Sequence, residues 1–498
     1  MFIIVLVHFA ILHLACSISR HPILIVVSYD AFRYDYLNPN LTPNLFRLRQ
    51  KGTFAEYIYN VFPTKTFPNH FTIATGMYTE THGVVGNSFY DPTLKEVVQI
   101  GEAMFTQNKE IIPIWTLNEL AGDDRHSAVL MWPGGMASYK NVKPTYFLNW
   151  SHEYDMFKRV DKAMEWLMDS KKPANLVMVY IEEPDYYSHI YGPDSQKVYE
   201  RIKVLDKLTQ YLEEQLRKYK LENSATIIHL SDHGMSSVKA KDIVNITQFL
   251  QPNTYTLAET TPCMHVIPKE GILQPYFDLI NAFWLVGYEK SIYDSLKKAS
   301  ETLKTFDVYR KSDLPDRWHF KNNPRTPPIF LMSKENYGFQ DILEAAEHYK
   351  EIEHITVTPE SVFGVHGFDP EMQKMHPFFM VRGPNIRKNY MIKPFNFVDL
   401  YNFFTEILRI KSVPNNSTTP IYKEILTQST FNGVSSIILI TVAGVLLSLL
   451  LIGCAVAITV LLIKRQQSMR TTAALNKRFP QTFQQSIEAQ HLLEAEEA

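Results

Sequence analysis

The chain has 498 residues, with 50 Lys and Arg against 52 Asp and Glu, for a net charge near −2. Its 45% apolar and 20% charged residues exclude a largely disordered chain, and the balanced charge gives no electrostatic basis for binding a nucleic-acid polymer. Three cysteines, Cys16, Cys263 and Cys454, exclude both a disulfide-stapled small fold and a cysteine-built zinc site, so a metal must be held by Asp, Glu and some of the 17 His.

In chain order, residues 2–16 form a nearly unbroken apolar run followed by Ser17, Ser19 and Arg20. That pattern predicts a secretory signal over residues 1–19, with an uncleaved anchor as the alternative because no Lys or Arg precedes the run. Short apolar runs at 23–27, 176–181 and 225–230 lack polar alternation, as strands covered on both faces do. Between the last two, Val198, Ile202, Leu205, Leu208, Leu212 and Leu216 recur at helical steps and predict an amphipathic helix over 197–221. Strands alternating with helices predict an open α/β sheet, whose ligands bind beyond the carboxyl ends of the strands.

Residues 20–412 are therefore expected to form the catalytic domain. Val413-Pro-Asn-Asn-Ser-Thr-Thr-Pro420 opens an expected stalk over 413–433. Residues 434–463 carry no charge and are long enough to span a bilayer, giving one C-terminal transmembrane helix. Lys464 and Arg465 follow at once and place the polar tail, 464–498, in the cytoplasm. The expectation is a type I plasma-membrane protein with its working part outside; the tail names no partner. Sequons at Asn40, Asn149, Asn245, Asn415 and Asn416 fit that compartment. Cys263 then stands alone in it and is expected to be a buried, apolar-like residue.

All three apolar runs end in chemistry. Asp30 follows the first, Asp185 and His189 follow the second at helical i, i+4 spacing, and Asp232-His233 follow the third. His366 sits between Gly364 and Gly367, which permit close backbone approach. Any one of these residues is more readily a cap, a turn or a packed side chain. Carboxylates and imidazoles delivered by four segments to one sheet edge instead suit Zn²⁺ and a two-metal hydrolytic site.

The motifs Ser28-Tyr-Asp-Ala-Phe-Arg33, Thr64-Lys-Thr-Phe-Pro-Asn-His70, Thr81-His-Gly-Val-Val-Gly-Asn87, Glu182-Glu-Pro-Asp-Tyr-Tyr-Ser-His189, Ser231-Asp-His-Gly-Met235 and Gly364-Val-His-Gly-Phe-Asp369 occur in that order. In them the chain resembles the ectonucleotide pyrophosphatase/phosphodiesterase family of the alkaline phosphatase superfamily, from about residue 22 to 408. Its layout is similar to the small type I members, without the cysteine-rich and nuclease-like domains of larger ones. The resemblance implies an alkaline-phosphatase-like, mostly parallel central sheet with helices on both faces and a smaller inserted cap. It implies two zinc ions, one held by Asp185, His189 and His366, the other by Asp30, Thr66, Asp232 and His233. Thr66 is the implied nucleophile, since metal coordination lowers the pKa of a hydroxyl that is otherwise a poor nucleophile. Asn87 matches the family's phosphate-binding amide. Phe67 matches one wall of its nucleobase slot, with Trp150 as the other wall.

What the resemblance implies is hydrolysis of extracellular nucleotides such as ATP, NAD and dinucleoside polyphosphates to 5′-monophosphates through a nucleotidyl-threonine. Two alternatives remain: a choline-phosphodiester or lysophospholipid diesterase on the same metal core, because aromatic walls also hold a quaternary ammonium, and an inactive surface receptor. One departure stands out. Ala31 occupies a position where most relatives have Gly, which is costly only if that residue has positive φ.

Overall fold

The computed structural model describes residues 18–269, 287–427 and 430–478. It divides into two units, Met1–Thr427 and Gln428–Ala498. The expected signal lies outside the described residues except for Ile18 and Ser19, and the tail beyond 478 lies outside them as well.

The first unit is built on an eight-stranded sheet. In chain order its strands are β1 (Ile23–Tyr29), β2 (Thr53–Ala55), β3 (Ser127–Leu130), β4 (Tyr146–Leu148), β5 (Leu176–Ile181), β6 (Ala225–Leu230), β7 (Phe379–Arg382) and β8 (Tyr390–Ile392). Their spatial order is β8-β2-β7-β6-β1-β5-β3-β4. Every pair is parallel except those of β7, which runs antiparallel to both β2 and β6.

The three apolar runs are the centre of this sheet, and they lack alternation because both faces are covered. Along β1, Leu24 and Val26 enter one hydrophobic cluster while Ile23, Ile25, Val27 and Tyr29 enter another. Helix α1 (Thr66–Thr75) lies on the first face. Helices α2 (Met156–Leu167) and α4 (Gln196–Lys218) cover the second, α4 through Val198, Ile202, Leu205, Leu208, Leu212 and Leu216. Between α2 and α4 comes the short α3 (Asp185–Tyr191).

The described residues 236–269 and 287–365, inserted between β6 and β7, form the smaller cap. It contains a four-stranded antiparallel sheet and a three-stranded sheet centred on Ser236–Val244. Buried Cys263 lies here, its thiol donating to the Gly367 carbonyl at 3.1 Å.

Residues 413–427 differ from the expected stalk. They pack on the first unit, with Ile421 and Ile425 in its core. The Asp399 carboxylate accepts bonds from Ser417 Oγ, Thr418 N and Thr419 N, each at 2.9 Å. The Pro, Asn, Ser and Thr composition that reads as a spacer here marks a run of turns over the start of helix α5 (Asp399–Leu408).

The described residues of the second unit form one helix, α6 (Thr430–Arg478). Its stretch Val442–Thr471 is long and apolar enough to cross a membrane and overlaps the expected span.

Candidate functional site

Parallel register aligns the ends of the central strands. Ser28 pairs with Tyr180 and with Leu230, so Asp30, the turn before Asp185, and Asp232-His233 emerge side by side. The loop after the cap sheet then brings His366 to the same edge. Gly364 is required there, because a Cβ would collide with the Ser188 carbonyl. Gly367 has φ +124° and lies against Lys65.

The three histidines share one arrangement. His189 Nδ1 meets the Gly364 carbonyl at 2.9 Å, His233 Nδ1 the Gly234 carbonyl at 2.9 Å, and His366 Nδ1 the Thr64 carbonyl at 3.0 Å. A carbonyl can only accept, so each Nδ1 carries the proton and each Nε2 presents a lone pair.

Those lone pairs converge on oxygen. His233 Nε2 lies 3.1 Å from Asp232 Oδ2, 3.3 Å from Asp30 Oδ1 and 3.3 Å from Thr66 Oγ1. Asp185 Oδ1 lies 3.4 Å from His189 Nε2 and 3.6 Å from His366 Nε2. Asp30 Oδ1, Asp185 Oδ1 and Asp232 Oδ2 are buried without a hydrogen-bond partner. Buried acceptors facing acceptors are unfavourable unless a cation lies between them. The donor set therefore fits metal, and Asp185, His189 and His366 form a group compact enough to hold one ion.

Electrostatics carry the same message. Burial, then the charges of Asp232 and Asp185, push the Asp30 carboxyl well above its ordinary range. Burial and the neighbouring His233 hold His366 well below the ordinary imidazole value, in the neutral form a metal requires.

Thr66 is the first residue of α1, where the helix dipole favours an anion. Asn87 Oδ1 accepts the Phe67 N–H at 3.0 Å. Its oxygen is thereby spent, and the amide NH₂ remains to donate. Thr66, Phe67, Asn87 and Trp150 line one cavity of about 520 Å³, together with Asp30, Asp185 and His189. Trp150 is 48% exposed at its rim beside Asn149. All seven candidate ligands and both candidate walls lie in or beside one cleft.

Ala31 has φ +56°, the costly case, and its N–H donates to Asp232 Oδ1 at 3.1 Å. Among the sequons, Asn40, Asn149 and Asn245 are exposed. Half-buried Asn415 instead uses its side-chain N–H groups on Asn402 Oδ1, Ser412 Oγ and the Val413 carbonyl. Half-buried Asn416 accepts the Tyr78 N–H.

Two supporting residues had no role in the sequence reading. His70 bridges the Thr66 carbonyl (2.8 Å) and Ser28 Oγ (2.9 Å), with Asp232 Oδ2 3.3 Å from Nδ1. Tyr180 donates its hydroxyl to Asp30 Oδ2 at 2.6 Å. The available signals were the i, i+4 spacing of Thr66 and His70 and the lone Tyr in the otherwise aliphatic β5.

Comparison with known proteins agrees with this geometry. The chain is 33% identical over 458 residues to the bis(5′-adenosyl)-triphosphatase enpp4 of Xenopus laevis, covering 92% of each. It is 33% identical to human ectonucleotide pyrophosphatase/phosphodiesterase family member 5, covering 84% of this chain and 81% of the relative. A solved structure of the murine family member 5, an inactive variant in complex with AMP, superposes with a TM-score of 0.69 at 31% identity, covering 82% of this chain and all of that one. The family model for type I phosphodiesterase / nucleotide pyrophosphatase matches residues 24–369, which contain the Thr66 turn and every candidate ligand from Asp30 to His366. By fold, site and sequence alike, the chain belongs to the type I phosphodiesterase / nucleotide pyrophosphatase family.

Proposed function

We propose that the chain is a zinc-dependent, membrane-anchored ectoenzyme that hydrolyses nucleotide phosphodiester and pyrophosphate bonds through Thr66. The observation that carries this is the position of Thr66 Oγ1, 3.3 Å from the His233 lone pair and at the floor of an aromatic-walled cleft.

Asp185, His189 and His366 would hold one zinc ion and Asp30, Thr66, Asp232 and His233 the other. When bound, the ions supply charge neutralisation and lower the pKa of a coordinated hydroxyl or water. The chain does the rest. Phe67 and Trp150 stack a nucleobase, an interaction that contributes roughly 1–3 kcal/mol per base. The Asn87 amide donates to a phosphate oxygen, aligned by its bond to Phe67 N–H. Thr66 Oγ attacks the α-phosphorus, the bond to the leaving group breaks, and a nucleotidyl-threonine forms. Water then cleaves the phosphorus–Oγ bond and releases the 5′-monophosphate. With α6 spanning the bilayer and Lys464 and Arg465 inside, the first unit lies outside the cell.

The likeness to a bis(5′-adenosyl)-triphosphatase makes dinucleoside polyphosphates the first substrates to try, beside ATP and NAD. A second reading rests on the cleft itself. Exposed Ile100, Phe147 and Ile352 line it, and among the described residues no Lys or Arg does. An apolar rim suits a choline-bearing lipid ester as well as a capped nucleotide. Initial rates on nucleotide and choline esters, with and without EDTA and added zinc, test both. The proposal expects metal-dependent release of nucleoside 5′-monophosphates. Turnover of choline esters alone would select the second reading, and turnover of neither would overturn both.

A further inference from the structure

We propose that Glu259, in the inserted cap, is a positioning residue that acts through Lys65 and Ser88 to set the Asn87 amide against the Thr66 hydroxyl. The inference rests on the roles proposed for Thr66 and Asn87.

Glu259 and Lys65 are a buried ion pair. Their side chains are 0% and 2% exposed, with Lys65 Nζ 3.7 Å from Glu259 Oε1. Neither residue lines the cleft. A buried charge pair far from water is rarely a source of net stability, so its retention needs another account. The hydrogen bonds supply one.

Lys65 is the residue before Thr66, at the N-cap of α1. Its ammonium donates to Thr260 Oγ1 at 3.0 Å and to the Thr261 carbonyl at 2.7 Å. The nucleophile turn is thus tied to the cap. On the other side, Glu259 Oε2 accepts the Ser88 N–H at 3.0 Å, and Ser88 Oγ accepts the Glu259 N–H at 3.0 Å. Ser88 follows Asn87, whose Oδ1 takes the Phe67 N–H. The contacts close a ring: Thr66-Phe67, Asn87-Ser88, Glu259, Lys65, and back to Thr66.

Two backbone features show how tightly the ring is drawn. Glu259 has φ +63°, a region Glu rarely adopts. Gly86 lies so close to Glu259 Oε2 that any Cβ would collide with it. The Asn87 loop is therefore pinned from the cap, and Asn87 has few ways to move relative to Thr66. Positioning of this kind acts mainly on kcat, since misplacement by about 1 Å can cost 10²-fold.

The test is a double-mutant cycle on the full-length chain in detergent, using Glu259→Gln, Asn87→Ala and the pair, with an aryl ester of a nucleoside 5′-monophosphate. Gln keeps the shape but offers one acceptor oxygen where two are needed. We expect Glu259→Gln to lower kcat about 10–100-fold with KM within about threefold and zinc content unchanged. In the Asn87→Ala background the same change should cost less than about twofold, because the residue it positions is gone. Equal losses in both backgrounds would overturn the proposal.

Hydrogen exchange gives a readout that needs no substrate. The Phe67 and Ser88 amides should lose protection in Glu259→Gln while those of α4 keep theirs. Unchanged protection at Phe67 and Ser88 overturns the clamp by itself, whereas a wild-type chain without nucleotide turnover overturns the functional reading instead. Where Glu259→Gln does not fold, Lys65→Met/Glu259→Gln removes both buried charges and takes its place in the cycle. Failure of that variant to fold assigns the pair to stability and also overturns the proposal.

Discussion

His233 and His366 stack ring on ring, their centroids 3.7 Å apart and their planes 12° from parallel, although each is proposed to serve a different metal ion. Both Nδ1 atoms are locked to backbone carbonyls, so neither ring can turn without breaking a bond. The stack therefore fixes the two Nε2 atoms relative to each other. Replacing His366 by Ala would remove a proposed ligand from one ion and the packing partner of a proposed ligand of the other. We expect zinc content to fall from two to one per chain or lower, with at least about a 100-fold loss of turnover, as for loss of groups that orient a metal site. Metal analysis by mass spectrometry beside an activity assay checks this; two zinc ions in His366→Ala would refute the assignment.

Ala31, in the loop that carries Asp30, has φ +56°, a conformation that favours Gly. The left-handed region costs an L-residue roughly 1–2 kcal/mol. The fully buried methyl offsets about 0.8 kcal/mol of that. Ala31→Gly should thus stabilise the domain by about 0.5 kcal/mol. The Ala31 N–H bond to Asp232 survives the change, so turnover should stay at the wild-type level. Thermal unfolding decides the first point, and a fall in melting temperature would contradict it.

Three histidines away from the cleft make the domain acid-sensitive. Burial lowers His82, His229 and His265 to about 3. A depressed pKa means the folded state resists the proton that the unfolded state accepts. The stability is complete above about pH 6.5 and is lost as pH falls toward about 3, at up to ~1.4 kcal/mol per pH unit for each group. His265 is the clearest case: both ring nitrogens lack a partner, and Phe320 and Phe330 flank the ring. Between about pH 7 and 5, His265→Leu should lose about 2 kcal/mol less stability than wild type in urea titrations. An unchanged pH slope would show that His265 is not the titrating group.

The packed segment 413–427 sets where a soluble ectodomain can end. Ile421 and Ile425 are 1% and 0% exposed, and burying each contributes about 1.5–3 kcal/mol. Stopping at residue 412 also strips three donors from Asp399. A chain ending at 427 should secrete and melt cooperatively, while one ending at 412 should melt many degrees lower or aggregate. Equal melting temperatures would restore the stalk reading.

These cases show what a sequence displays and what it hides. The β1, β5 and β6 runs were legible because burial on both faces leaves an unbroken apolar stretch, and Asp30, Asp185 and Asp232 stood at their ends. His366 was legible through Gly364 and Gly367, which close approach demands. Glu259 was not, because its partners Lys65 and Ser88 lie more than 170 positions away and no local period links them. The 413–427 segment was misread because turns that cap a helix use the same Pro, Asn, Ser and Thr as a solvated linker. The φ of Ala31 is a backbone property that its side chain does not announce.

In the proposed reaction Thr66 attacks phosphorus first and water attacks second. The stereochemical course at an isotopically chiral α-phosphorus, with transfer to an alcohol acceptor, decides whether this order holds. Two in-line displacements through nucleotidyl-Thr66 predict retention of configuration, and inversion would mean that the acceptor attacks in one step without Thr66.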